Sequence, residues 1–585
     1  MRKSLAPSRA VRPIAPLLLL LFGITFQPGR SQNPVPPQSP ETRASIHKNA
    51  PELTSHDAPT TFSTRVSLVM VPVVVRDRAG KAIGTLHRED FALFDKGKPQ
   101  VISKFSVERA GETAMVVQTT VDENAGEKPS GPPPPPVANH FVAYLFDDVH
   151  SNFGDLAQAR DAARKQIADT LQPTDRVAIF STSGQTTLDF TDDRRAIEET
   201  LLRLRPRLRQ VVNPCPDISY YMADLIVNRN DRFALSAATL DTMACMSIQF
   251  GAEEIARSTA SQMLSEGDYE TRLALSTLKD AVRRISAMPG QRVLVLVSPG
   301  FLLLDSHRSD ETDVMDRAIR ANVTINTLDA RGLYVSPELD ASKRATSYQA
   351  QRLKSQYLRE SAFAEGDVLG ELADATGGTW FHNRNDLDQG FRLIAASPEY
   401  TYVLGFSPQN LKYDGAFHTL KVTLKNPSGL ALRARRGYYA PKHEVDPKQQ
   451  SKEEIREALF SREEMKDIPV SLQTQFFKPS DIKATLAVLA HVDLKAIRFR
   501  KAEGRNRNSL VVVSGIFDRN GILISATEKT IDMFLKDETF AARTAAGLTV
   551  KTSFDVTPGN YVIRLVVRDS EGQMMTAQNG VVQIP

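Results

Sequence analysis

Two cysteines in 585 residues exclude a four-cysteine zinc site and a disulfide-dense scaffold. Both, Cys215 and Cys245, fall in one segment between helical patterns, and no His-x-x-x-His pair stands near them. In an oxidising compartment such a pair closes one disulfide; the other reading is two inert thiols. An excess of one charge is also missing. The 73 basic and 69 acidic residues leave a net charge of +4, without a long basic block or an aromatic-interleaved basic stripe. Nucleic acid is therefore not an expected partner. Gly-x-Ser-x-Gly, His-Glu-x-x-His and Gly-x-x-x-x-Gly-Lys-Ser/Thr are all absent, and neither cysteine has the setting of a nucleophile. An Asp147/His150/Ser151 triad can be drawn, but neighbours in one loop rarely meet the geometry of nucleophile, base and orienter. The chain reads as a non-enzyme, with a hydrolase as the remote alternative.

The N-terminal apolar run 14–26 falls short of the ~20 residues that cross a bilayer. It follows Arg2, Lys3, Arg9 and Arg12 and precedes a polar stretch. A basic start and a short apolar core describe a secretory signal, placed at 1–31; an uncleaved anchor is the alternative. No cysteine follows the run, so lipid attachment there is excluded. The expected location is secreted, periplasmic or cell-envelope, with no transmembrane segment beyond the signal sequence.

The length corresponds to about four domains at ~150 residues each, and 41% apolar composition supports several cores. Residues 32–62, rich in Pro, Ser, Thr and Gln, read as a disordered leader. Residues 63–121 show short strands with turn signals about every ten residues, the pattern of a small β-sandwich. Pro132 to Pro136 sit in a stiff spacer, 122–138. From 139 to 395 strand and helix alternate, which predicts an α/β domain: an open, doubly wound, mostly parallel sheet. A helical insertion, 206–265, interrupts the rhythm. Residues 396–441 return to period two as an antiparallel extension, 442–467 form a charged helical linker, and 468–585 form a second β-sandwich.

The most informative phrase is His140-Phe141-Val142-Ala143-Tyr144-Leu145-Phe146-Asp147-Asp148. A run apolar at both parities suits a central parallel strand covered on both faces, and ligands of such sheets sit at the carboxyl ends of the strands. Asp147, Asp148 and Ser151 emerge there. Alternatively the two aspartates cap the following helix, whose N-terminal dipole favours carboxylates.

Four motifs resemble the von Willebrand factor type A (VWA) domain. They are the strand into Asp147, Asp175-Arg176-Val177-Ala178-Ile179-Phe180, Phe190-Thr191-Asp192-Asp193-Arg194, and Arg292-Val293-Leu294-Val295-Leu296-Val297-Ser298-Pro299-Gly300. The layout over 63–441 is similar to secreted acidobacterial VWA-domain proteins, through Asp77-Arg78-Ala79-Gly80, Glu89-Asp90-Phe91 and the ending Arg435-Arg436-Gly437-Tyr438-Tyr439-Ala440-Pro441. The resemblance implies a VWA/Rossmann-like fold flanked by small sandwiches. It also implies a metal-ion-dependent adhesion site: Asp-x-Ser-x-Ser, a later Thr and a late Asp, because hard cations take oxygen ligands. Asp147 and Ser151 match, Val149 replaces the middle serine, Thr271 lies two positions from the expected threonine at Tyr269, and Pro299 replaces the late aspartate. Asp147, Ser151 and Thr271 are thus the candidate ligands for Mg²⁺ or another divalent cation, weakly held. The implied function is an exported protein-binding or adhesion module with a degenerate metal site. A structural envelope component without metal-dependent binding is the alternative.

Overall fold

The computed structural model describes residues 52–59, 69–79, 81–109, 138–207, 215–333, 348–395, 398–408, 415–440, 447–460, 464–572 and 574–585. All belong to one compact unit, Glu52–Pro585. The expected signal at 1–31, the leader up to 51 and the Pro-rich spacer up to 137 lie outside the described residues.

The central domain is a mixed α/β layer structure around a six-stranded, mostly parallel sheet. Its strands are β1 (His140–Phe146), β2 (Asp175–Ser181), β3 (Thr187–Thr191), β4 (Gln291–Ser298), β5 (Val323–Asp329) and β6 (Trp380–Phe381). The order is β6-β5-β4-β1-β2-β3. Only the edge strand β3 runs antiparallel, against β2. All seven residues of β1 are buried, because successive side chains enter two separate cores. Phe141, Ala143 and Leu145 face one core, and Val142, Tyr144 and Phe146 the other.

The first core is closed by α5 (Ala252–Ser286), α6 (Arg308–Arg320) and α7 (Tyr348–Thr376), through Leu275, Leu278, Val314 and Leu369. The second is closed by α1 (Phe153–Thr170), α2 (Arg194–Arg203) and α8 (Leu387–Ala395), through Leu156, Ile197 and Phe391. At ~1.5 Å per residue, the 35 residues of α5 reach about 50 Å, longer than the strands they cover. Only its second half joins the sheet core. Its first half packs Ala256 and Ala260 against α3 (Tyr220–Val227) and α4 (Arg232–Met246), with Tyr357 of α7 alongside. The expected insertion 206–265 therefore has no boundary at 265. It continues into a core helix and stands as a helical cap beyond the carboxyl ends of the strands. Cys215 and Cys245 are bonded, tying the segment before α3 to the last turn of α4.

The segments 63–121 and 396–441, expected as separate units, form one sandwich. Val69–Arg76 and Lys104–Arg109 pair with Tyr400–Phe406, and Phe91–Asp95 pairs with Phe417–Leu424. Val71, Val73 and Val75 meet Tyr402, Leu404 and Phe406 in its core. A few strands with one apolar face bury little alone, and the second set supplies the missing face. Two further corrections concern the C-terminal sandwich. Leu53–Pro59, inside the expected leader, pairs with Leu523–Leu535 as a strand of its seven-stranded sheet. The expected helical linker does hold a helix, Pro447–Phe460, but it packs as part of the sandwich, with Ile455 and Leu459 buried against Phe517 and Val566. Its charged residues hid an apolar stripe.

The C-terminal sandwich is fastened beneath the central sheet. Arg292, half-buried, donates to the Phe460 carbonyl at 2.7 Å. Arg176 donates to the Arg519 carbonyl and to Asn520 Oδ1, each at 3.1 Å. Gly521 (φ +83°) completes that turn against Phe141, where a Cβ would stand 2.5 Å from the ring.

Candidate binding crest

Where β1 ends, the main chain of Asp147 donates to the Val297 carbonyl of β4, so the two strand ends meet where the strand order reverses. In doubly wound sheets this switch point opens a crevice. Here the crevice is filled by the chain's own polar groups. Asp147 is 1% exposed. Its Oδ2 accepts the Ser298 hydroxyl at 2.6 Å. His150 Nδ1 lies 2.9 Å from Oδ2 and 3.0 Å from Oδ1. The main-chain N–H groups of Val149 and His150 add bonds of 3.3 and 3.2 Å to Oδ1. An ionised carboxylate only accepts, so Nδ1 carries the hydrogen of that bond. Burial pushes the Asp147 carboxyl up, but the charge and hydrogen bonds of His150, with Ser298, outweigh it and hold it below the usual carboxylate range. The His150 ring stacks on Phe301, 5.4 Å between centroids.

Asp148 is equally buried. Its oxygens accept the Ser183 N–H at 2.8 Å and the Ser183 hydroxyl at 2.5 Å. Burial raises its carboxyl above the usual range, and the bonds from Ser183 only partly offset this. Neither aspartate caps α1. The cap is Asn152, whose side chain accepts the Asp155 N–H at 2.9 Å.

Ser151 is 6% exposed, and its buried hydroxyl has no hydrogen-bond partner. Thr271 is buried within α5 and donates to the Leu302 carbonyl at 3.1 Å, clamping the loop that follows β4. The same foot of the cap is fixed by Asp268, which accepts the Tyr220 hydroxyl at 2.7 Å and lies 2.9 Å from His307 Nε2.

These residues do not fit a divalent cation. A hard cation needs several open oxygen lone pairs, yet both Asp147 oxygens already accept bonds within the chain. Thr271 is committed to Leu302, and buried Val149 and Pro299 offer no ligating side-chain atom. Ser151 alone is unengaged. Among the described residues no group of three or more His, Cys, Asp or Glu side chains gathers as a metal would require. The structure therefore brings Asp147 and Ser151 to one crest but places Thr271 in a different role. Sequence reasoning missed Ser298 and Ser183, the hydroxyls that satisfy the two aspartates. Ser298 was visible only as the polar residue closing the most apolar strand.

No described helix is long and apolar enough to cross a membrane. No protein-family model matches the chain, and no curated protein sequence matches it. Among solved structures, it is similar to an aerotolerance-related membrane protein from Bacteroides fragilis NCTC 9343 at 13% identity. That match covers 44% of this chain and 96% of that one, with a TM-score of 0.22. The conserved hypothetical protein BatB from Bacteroides thetaiotaomicron is 11% identical, with the same two coverages and a TM-score of 0.19. A β-glucuronidase from Bacteroides uniformis is 13% identical over 32% of this chain and 19% of its own, with a TM-score of 0.13. Superpositions this poor carry no structural or functional argument.

Proposed function

We propose that the chain is an exported, non-enzymatic protein-binding or adhesion module of VWA type, in the layout of the acidobacterial proteins it resembles, docking partners on the carboxyl-end crest of its central sheet without a metal ion. The observation that carries this reading is the Asp147–His150–Ser298 cluster at the meeting point of β1 and β4. It satisfies the carboxylate's hydrogen bonds from within the chain, and close by, at the start of α1, Phe153 is 66% exposed. The rim sits on strand ends, and rigid elements hold a binding surface better than loops do.

Photocrosslinking tests it. Benzoylphenylalanine at Phe153 in the full chain is expected to trap a discrete protein in envelope preparations containing EDTA. The same probe at Phe477, 71% exposed in the C-terminal sandwich, is expected to trap none. Equal yields from both positions, or none from Phe153, would leave a structural envelope component as the better description.

A further inference from the structure

Three arginines run from the end of α2 towards the crest. Arg203 donates to the Glu199 carbonyl and to the Thr200 hydroxyl, both at 3.2 Å. Arg205 donates to the carbonyls of Leu202 and Leu204, both at 2.8 Å. The main-chain N–H of Arg207 bonds the Asp148 carbonyl at 2.7 Å, and its guanidinium lies 5.5 Å over the ring of Tyr269. All three, and Tyr269, are exposed.

None of the three has a carboxylate partner among the described residues. Several other arginines of the domain do: Arg257 pairs with Glu253, Arg283 with Asp280, Arg317 with Asp313 and Arg320 with Asp316. The acids beside the strip are occupied. Glu199 holds Arg195, Glu198 holds Arg164, and Asp147 holds His150. The carboxyl end of α2 supplies only about half a negative charge against three cations. Among the described residues, the strip therefore carries positive charge that no paired carboxylate offsets, and it is continuous with the crest.

We propose that Arg203, Arg205 and Arg207, with Tyr269 as a wall, form a docking strip for a carboxylate-rich segment of a protein partner. This rests on the crest being the docking face and adds the chemistry of what docks there. Guanidinium forks match carboxylates and phosphates alike, so number decides between sources. Stable binding to a nucleic acid typically draws on about 6–10 phosphate contacts, and anionic membranes on clusters of about 4–8 basic residues. Three guanidiniums suit two or three carboxylates.

The test is fluorescence anisotropy of a fluorescein-labelled hexaglutamate peptide with the full chain at low salt. Exposed contacts contribute modestly, so R205Q/R207Q is expected to weaken binding about tenfold, roughly threefold per charge. R205K/R207K is expected to retain most of the affinity, because charge is kept. R195Q, which removes an arginine already paired with Glu199, is expected to change it less than about twofold. All are surface changes, and unchanged circular dichroism checks the fold. Equal binding by R205Q/R207Q and the unsubstituted chain overturns the proposal. So does tighter strip-dependent binding of a ten-nucleotide thymidine oligomer or of phosphatidylglycerol vesicles, which would assign the strip to phosphates. If R205Q/R207Q has no effect while the Phe153 crosslink persists, the strip fails and the crest reading stands. If Phe153 traps nothing while peptide binding still depends on Arg205 and Arg207, the crest reading fails and only the strip's affinity for carboxylates stands.

Discussion

Asp147→Asn probes how firmly the crest carboxylate is held. The native group is buried and accepts the Ser298 hydroxyl at 2.6 Å and the His150 imidazole at 2.9 Å. Hydrogen bonds to a charged group contribute about 1.5–3 kcal/mol each. An amide keeps one acceptor, but its NH₂ group must then face either His150 Nδ1–H or Ser298 Oγ. The latter already accepts the Gly300 N–H at 3.0 Å. The expected loss is about 2–4 kcal/mol. At roughly 2–4 °C per kcal/mol for a domain of this size, the central transition falls by about 4–16 °C. Scanning calorimetry of the full chain reads it. Ser298→Ala is expected to cost less, and the double variant less than the sum, because the two residues share a bond. The pH dependence has a definite sign. Asp147 is lowered in the folded state, so its contribution is present above the ordinary carboxylate range and lost as pH falls. The gap between the variant and the native chain should therefore close in acid. A D147N transition within about 1 °C of native at neutral pH would refute the reasoning, because it would mean the carboxylate is not held by these bonds.

Glu311 is buried beside Glu371 of α7, with Arg308 bridging them at 3.2 and 2.6 Å. Burial, then Glu371, push it up to about 8 from 4.5. Its stabilisation is full below the unfolded value and lost as pH rises through about 8, so the native midpoint should drop between pH 5.5 and 8.5 while Glu311→Gln stays flatter; parallel curves would sink this. Gly521→Ala places a methyl group against Phe141 and strains a positive φ, so limited proteolysis should release the C-terminal sandwich faster than from the native chain. An unchanged digestion rate would mean that the turn does not dock. Leu459→Ala opens a cavity under the helix Pro447–Phe460 and should cost about 2–5 kcal/mol, read by thermal unfolding. A surface-like effect below ~0.5 kcal/mol would restore the linker reading.

The parts of the fold legible in the sequence were those decided locally. His140–Phe146 and the run ending at Ser298 are apolar at both parities because helices cover both faces, and that pattern needs no partner to be seen. Two cysteines in one segment sufficed for the disulfide. Long-range pairing was not legible. Nothing in Val69–Arg76 says that Tyr400–Phe406 completes its sheet more than 300 residues later, and polar Leu53–Pro59 has no apolar alternation that would mark it as a strand. At the crest, the sequence located Asp147 and Ser151 on the correct strand end. It did not reveal that His150 would turn back onto Asp147, because a histidine three residues away bonds or faces solvent according to a loop conformation that periodicity does not encode.

The most direct test of a crest whose carboxylate is satisfied from within is calorimetric titration of the full chain with Mg²⁺, Mn²⁺ and Ca²⁺, with Asp147→Ala in parallel. The expected result is no saturable heat from either protein. A saturable isotherm in the native chain that disappears with Asp147→Ala would contradict the account.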